Sequence, residues 1–334
     1  MATICKGLHM AKSMTKKMLE VKNLKVSYIN ENESVQIIRG FDLSLKKGEI
    51  VGVLGESGSG KTISTSAIVK LFDSADGHID AGEVRFENID LAKLKEKQLI
   101  EVRGKKISYI FQNPASALHP FKRVGRQLAG TLKAHKLPFS KEKIASVLKE
   151  VGLDNVETIY EMYPAQLSGG QNQRIMIAQS IICKPELLIA DEPTSSIDAS
   201  IRKRILDLLL QINTKYQMSI VFITHDFDIA KYLCDRIVVM YGGLSVEEGP
   251  MNEILDSPLH PYTMELIKCA SSLDNHEETL YSLEGMPPTP YEFEDECPFI
   301  NRCKFKLDLC AKRIPEVVVM GDRKVRCTNH IIYT

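Results

Sequence analysis

Five short runs along the chain are apolar at successive positions rather than alternating ones: 49–54, 107–111, 187–191, 219–224 and 236–240. Strict alternation would mark a strand with one wet face, whereas a short continuous run bounded by polar residues predicts a strand buried on both faces. Between these runs, residues 61–71, 141–151, 173–183 and 201–216 repeat apolar positions at helical spacing. Strands alternating with helices predict an α/β fold, a largely parallel sheet covered on both sides. Residues 113–180 break the alternation. They are helix-rich with no strand pattern and read as an inserted helical subdomain. Residues 281–296 change character again, carrying Glu284, Glu292, Glu294, Asp295 and Glu296, three prolines and no base. That composition predicts a linker. The expected organisation is a tail over 1–18, a main domain over 19–270 and an extension over 271–334.

Composition narrows the class. With 334 residues, 44% apolar and 26% charged, the chain suits about two ordinary globular domains and excludes collagenous or disordered ones. Its longest apolar runs are far short of the roughly 20 residues a membrane span needs, so a membrane role requires a partner. Lys and Arg (43) balance Asp and Glu (43), leaving no global field to attract nucleic acid. The N-terminal residues include Lys6, Lys12, Lys16 and Lys17, no acid, and Met10, Met14 and Met18 at four-residue spacing. Without an apolar signal core they read as a flexible tail or long translation start, not a membrane-touching helix. The expected compartment is cytosolic, where thiols stay reduced.

Gly55-Glu56-Ser57-Gly58-Ser59-Gly60-Lys61-Thr62 has the spacing G-x-x-x-x-G-K-[ST], after an expected strand and before an expected helix. Its glycines let backbone N–H groups wrap a phosphate chain, Lys61 adds a full positive charge, and the Thr62 hydroxyl can ligate Mg²⁺. The motif predicts a nucleoside triphosphate site. Residues 187–192 form an apolar strand ending in Asp191 and Glu192. A carboxylate at a buried strand tip needs a cationic partner. Asp191 fits as a Mg²⁺ partner and Glu192 as general base for an attacking water.

Leu167-Ser168-Gly169-Gly170-Gln171 precedes another expected helix and forms a second anion cradle. One phosphate loop already serves the triphosphate of its own subunit, so a second cradle suits a nucleotide held by another subunit. Here the chain resembles the ATP-binding-cassette (ABC) ATPases. The resemblance implies a P-loop nucleotide-binding domain with an inserted helical subdomain, taking ATP and Mg²⁺. It assigns Tyr28 to adenine stacking, Gln112 to Mg²⁺ and water, His225 to the γ-phosphate, and Asp198 to a loop that communicates across a dimer. Where the family more often has Ala-Leu, this chain has Ser196-Ile197. Two such cassettes would sandwich two ATP molecules, and closure would drive a membrane partner through the Gln112 region.

Further on, His260-Pro261-Tyr262-Thr263, Gly285-Met286-Pro287-Pro288 and the thiols Cys297, Cys303, Cys310 and Cys327 resemble the C-terminal extension of oligopeptide, dipeptide and nickel importer ATPases. This subfamily implies a paralogous second ATPase, two transmembrane permease subunits, an extracytoplasmic substrate-binding protein and a position on the cytoplasmic face of the membrane. Peptide import is the leading expectation. A metal-chelate importer and a soluble cassette ATPase outside transport are the alternatives. The four cysteines are separated by five, six and sixteen residues, unlike the two- to four-residue spacing of zinc fingers. Soft thiolates and the subfamily both favour a [4Fe–4S] cluster, with zinc or unliganded thiols as the other readings. Cys5, Cys183, Cys234 and Cys269 read as packing or incidental.

Overall fold

Twelve strands form one mixed sheet in the computed structural model, which describes residues 17–30, 33–72, 76–195, 197–274 and 282–329. They are β1 (Lys17–Asn30), β2 (Glu33–Lys46), β3 (Ile50–Leu54), β4 (Gly77–Phe86), β5 (Ile89–Asp90) and β6 (Ile107–Ile110). The others are β7 (Leu187–Asp191), β8 (Ser219–Thr224), β9 (Arg236–Tyr241), β10 (Leu244–Pro250), β11 (Val318–Met320) and β12 (Arg323–Val325). The continuous apolar runs fall on β3, β6, β7, β8 and β9, which pair in parallel in the order β9-β3-β8-β7-β6. Every residue of β3, β7 and β8 is buried, as two covered faces require.

The expectation of a largely parallel sheet holds for that half only. Beyond β10, which pairs antiparallel with β9, lies a second half in which β1 pairs antiparallel with both β2 and β4. The β2 strand does alternate, burying Phe41, Leu43 and Leu45. In β1 the alternation is broken by register shifts around Asn23, whose φ of 44° lies in the left-handed region. A bulge of this kind moves later side chains to the other face, so the period-2 signal disappears from the sequence. Lys17 and Met18, counted with the N-terminal tail, are the first residues of β1, and residues 1–16, Cys5 among them, lie outside the described set.

Between β6 and β7 the chain forms helices Val124–Ala134, Lys141–Glu150, Val156–Glu161 and Gly169–Ile181, with short turns of helix at Pro114–Ala117 and Pro164–Gln166. Leu128, Leu132, Ile144 and Leu148 are fully buried among them, in a core continuous with β7 and β8. The C-terminal segment folds back onto the sheet. After the helix Pro261–Asp274, residues 282–329 run across the molecule and β12 pairs with β10. Composition predicts a linker over 281–296, yet the Arg39 guanidinium sits 4.3 Å above the Phe293 ring and donates to the Glu294 carbonyl at 2.8 Å.

Glu247 on β10 fastens this return. It is 1% exposed, and its carboxylate accepts from the Leu259 and His260 amides, both at 2.9 Å, and from Arg323 at 2.6 Å. Removing one member of a buried ion pair leaves the other charge uncompensated, at about 3–5 kcal/mol. Glu247→Ala is therefore expected to lower stability by about that amount in urea unfolding. A loss below about 1 kcal/mol, the usual range of an exposed pair, would show that the pair is not holding the C-terminal segment.

Candidate ATP site

The site gathers at the carboxyl ends of the parallel strands β3, β7 and β8, the edge of an open α/β sheet at which ligands bind. Leu54 ends β3, and the helix Lys61–Ala67 begins after a glycine loop. Gly55 has φ of 151°, and a Cβ there would lie 2.3 Å from the Met240 carbonyl oxygen, so only glycine fits. Lys61 folds over its own loop, with Nζ donating to the carbonyls of Gly55 at 2.8 Å and Glu56 at 2.9 Å. Burial pulls its pKa below the ordinary lysine value, and the charges of Glu192, Asp191 and Glu56 oppose that shift.

Asp191 ends the buried strand β7. Its Oδ1 accepts from the Thr62 hydroxyl and its Oδ2 from the Tyr109 hydroxyl, each at 3.1 Å. Burial still holds its pKa above the usual carboxylate value, with these two hydrogen bonds working the other way. Glu192, next in the chain, leaves the strand at φ of 41° with its amide donating to the Ile223 carbonyl on β8 at 3.1 Å. That turn aims its carboxylate between Gln112 Nε2 at 3.2 Å and His225 Nδ1 at 3.3 Å. Gly55 to Gly58, Gly60, Lys61, Thr62, Gln112, Glu192 and His225 line one cleft of about 750 Å³, with Ile37, Leu266 and Pro290 completing its walls.

Other expected site residues stand apart from that cleft. Tyr28 is half-buried on β1, edge-on to Phe72 at 6.2 Å, and does not line it. Ser168 caps the helix Gly169–Ile181 reciprocally: its hydroxyl accepts from the Gln171 amide at 3.3 Å while Gln171 Oε1 accepts from the Ser168 amide at 2.9 Å. Ser168 and Gly169 are exposed, a Cβ on Gly169 would meet nothing, and residues 167–171 take no part in the cleft. Asp198 is an exposed N-cap of the helix Ala199–Tyr216. Ser196, close to it in the chain, lies outside the described residues.

The resemblance assigns the four C-terminal cysteines to one ligand set, and their thiols lie within electrostatic reach of one another. Among the described residues no group of three or more His, Cys, Asp or Glu side chains is arranged to hold a metal ion. Cys297 and Cys310 join the main core with Phe299, whereas Cys327 packs in a separate small cluster with Leu259 and Val325. Burial, reinforced by the neighbouring thiols, pushes Cys297 up to about 12 and Cys327 up to about 11, favouring the protonated form. None of the seven described cysteines is disulfide-bonded.

Residues 38–195 match the ABC transporter family, and residues 246–310 match the oligopeptide/dipeptide transporter C-terminal region. The chain is 37% identical to the dipeptide transport ATP-binding protein DppD of Haemophilus influenzae, covering 93% of this chain and 94% of that one. It is also 37% identical to the oligopeptide transport ATP-binding protein AppD of Bacillus subtilis, over 93% and 96% of the two chains. The chain belongs to the ABC transporter family of ATP-binding proteins. Among solved structures, a dimeric ATP-binding cassette in a post-hydrolysis state with ADP and Pi superposes with a TM-score of 0.63 and 28% identity, covering 70% of this chain and 99% of that one. The cassette ATPase fold is thus that of the mixed sheet and its helices.

Three contributors to the ABC site belong to none of the nucleotide-binding motifs. Tyr109 lies in the middle of an apolar run, and its hydroxyl is placed on Asp191 only because β6 pairs with β7. Tyr262 and Arg302 reach the phosphate loop from the far end of the chain, where the Tyr262 hydroxyl accepts from the Glu56 amide at 2.9 Å. The raised pKa of Asp191 has a consequence for the nucleotide-free chain. A carboxyl raised on folding contributes stability below its unfolded pKa, and that contribution is lost as pH rises through the folded pKa. Asp191→Asn should therefore melt at a higher temperature than the parent at pH 8, with the gain shrinking as pH falls through the raised pKa. The same variant should lose the extra thermal stabilisation that Mg²⁺ adds to ATP; a lower melting temperature at pH 8 would contradict the assignment.

Proposed function

We propose that this chain is the ATP-hydrolysing subunit of an importer for oligopeptides or dipeptides, driving a separate permease. The observation that carries the reading is the conjunction of an intact ATP cleft with a C-terminal region of the oligopeptide/dipeptide type, in a chain aligned over most of its length with transport ATP-binding proteins of that kind. The working division is a cassette over 19–270, a helical subdomain over about 113–180 that faces the permease, and the extension over 271–334.

Within the cleft, the loop 55–60 and Lys61 bind and orient the triphosphate, and Tyr28, beyond the cleft wall, is the stacking residue for adenine. Thr62, Asp191 and Gln112 would hold Mg²⁺, and the pairing of Thr62 with Asp191 supports a hard-cation site there. When bound, Mg²⁺ supplies charge neutralisation for the phosphates. Glu192 removes the proton from the attacking water, held ready by Gln112 and His225 on its two oxygens. His225 contacts the γ-phosphate. The signature residues 167–171, with Ser168 and Gly169 exposed, cap ATP bound to a second ATPase subunit, a paralogue, and Asp198 communicates across that dimer. Two transmembrane permease subunits and an extracytoplasmic binding protein complete the assembly, with this chain held peripherally on the cytoplasmic face of the membrane and no nucleic acid involved.

Glu192→Gln keeps the shape and hydrogen-bonding reach of the side chain but removes the base. It should cut ATP turnover by about 10²–10⁴-fold, the usual worth of general-base catalysis, while still binding ATP and still co-purifying a multi-span permease from native membranes. Turnover near the parent rate would remove Glu192 as the base, and purification from membranes without any permease would remove the importer reading.

The finer reading of the extension is a [4Fe–4S] cluster on Cys297, Cys303, Cys310 and Cys327. Four soft sulfur donors within mutual electrostatic reach support it, and the lack of an assembled ligand set among the described residues weighs against it. Anaerobically purified protein should then carry about four iron and four sulfide per chain with visible absorption. Colourless, iron-free protein retires the cluster.

A further inference from the structure

Glu56 places a carboxylate inside a loop whose task is to surround phosphates. Left unpaired, it would oppose the triphosphate that the loop must bind. The structure pairs it from outside the cassette core: Arg302 Nη1 lies 2.7 Å from Glu56 Oε2, and Nη2 lies 3.1 Å from Oε1. This two-pronged contact spans 246 residues of sequence. The Arg302 side chain is only 6% exposed and is itself fixed, donating to the Tyr241 hydroxyl at 3.1 Å and to the carbonyls of Glu284 at 2.9 Å and Leu283 at 3.3 Å. Tyr241, Tyr262 and Phe299 pack their rings together beneath it, with centroids 4.5–5.4 Å apart. Tyr262, 0% exposed, accepts the Glu56 amide proton, so one residue of the phosphate loop is gripped by both its backbone and its side chain.

Resting on the reading of this cleft as an ATP site, we propose that Arg302 and Tyr262 are positioning residues for ATP: the C-terminal extension neutralises Glu56 and turns its carboxylate away from the bound phosphates. The geometry favours this over a merely structural pin. A bidentate guanidinium–carboxylate pair fixes direction as well as distance. Pro290 of the extension, with Leu266 on the helix that leads into it, also lines the cleft, so the extension contributes to one of its walls. Lys61 feels the Glu56 charge, so a Glu56 freed from Arg302 is a competitor to the phosphates for that lysine.

The test is equilibrium binding of ATP to the full chain by calorimetry, in the presence of EDTA to prevent turnover, with the melting temperature of each nucleotide-free variant measured alongside. Arg302→Ala should weaken ATP binding roughly tenfold or more, as expected for an unscreened like charge close to a phosphate site. The defect should shrink at high salt, since screening acts on repulsion and not on lost packing. Glu56→Gln alone should bind ATP at least as tightly as the parent, and Arg302→Ala combined with Glu56→Gln should return to within about threefold of it. Arg302→Gln, closer in volume, gives the same pattern should Arg302→Ala fail to fold. Parent-like ATP affinity in a folded Arg302 variant overturns the proposal, and so does a double variant that stays as weak as the Arg302 single variant. A parent chain that does not bind ATP overturns the reading of the cleft itself, a result distinct from either of these.

Discussion

The fold is organised around keeping several charges in a partly dry cleft without leaving any of them unpaired. An uncompensated ionised group away from water is costly enough to shift its own pKa or unfold its surroundings. Here Asp191 is met by Thr62 and Tyr109, Lys61 by two carbonyls of its own loop, Glu192 by Gln112 and His225, and Glu56 by Arg302. These partners come from segments far apart in the chain. They meet only because β7 lies beside β8, β8 beside β3, and β6 beside β7 in fixed register. A slip of one residue in any of those pairings would turn the functional side chains to the opposite face of the sheet. The covered parallel half is therefore the frame that makes the chemistry of its edges possible.

The same constraint explains which parts were legible in the sequence. Strands buried on both faces have to be apolar throughout, so the runs on β3, β7 and β8 stand out without any knowledge of the fold. A phosphate loop has fixed glycine spacing because backbone must approach phosphate, so residues 55–62 are equally visible. The antiparallel half hides because the bulge at Asn23 breaks the alternation of β1. Tyr109 hides for a different reason: on its own it is one aromatic in an apolar run, and only the pairing of β6 with β7 gives its hydroxyl a purpose. The four C-terminal cysteines suggest one centre by their spacing, and their thiols do feel one another, yet they pack against two different apolar clusters. Spacing along the chain does not carry that information.

The C-terminal extension is the part whose standing changes most between sequence and structure. Its acidic, proline-bearing start has the composition of a linker, and a linker would leave the cassette indifferent to the residues beyond it. Instead Phe293 stacks under Arg39, β12 is added to β10, and Glu247 ties β10 to the start of the helix Pro261–Asp274 and to Arg323. A solved cassette is covered over 99% of its length by 70% of this chain, so that cassette has no counterpart to the rest. The need for it arises inside the phosphate loop. With glutamate at position 56, the loop carries a charge of the wrong sign for its ligand, and the compensating guanidinium lies 246 residues away. The ATP site of this chain is consequently complete only after its last segment has docked. Nucleotide affinity is thereby linked to the integrity of the extension through one ion pair, next to the tyrosine hydroxyl of the helix that leads into it.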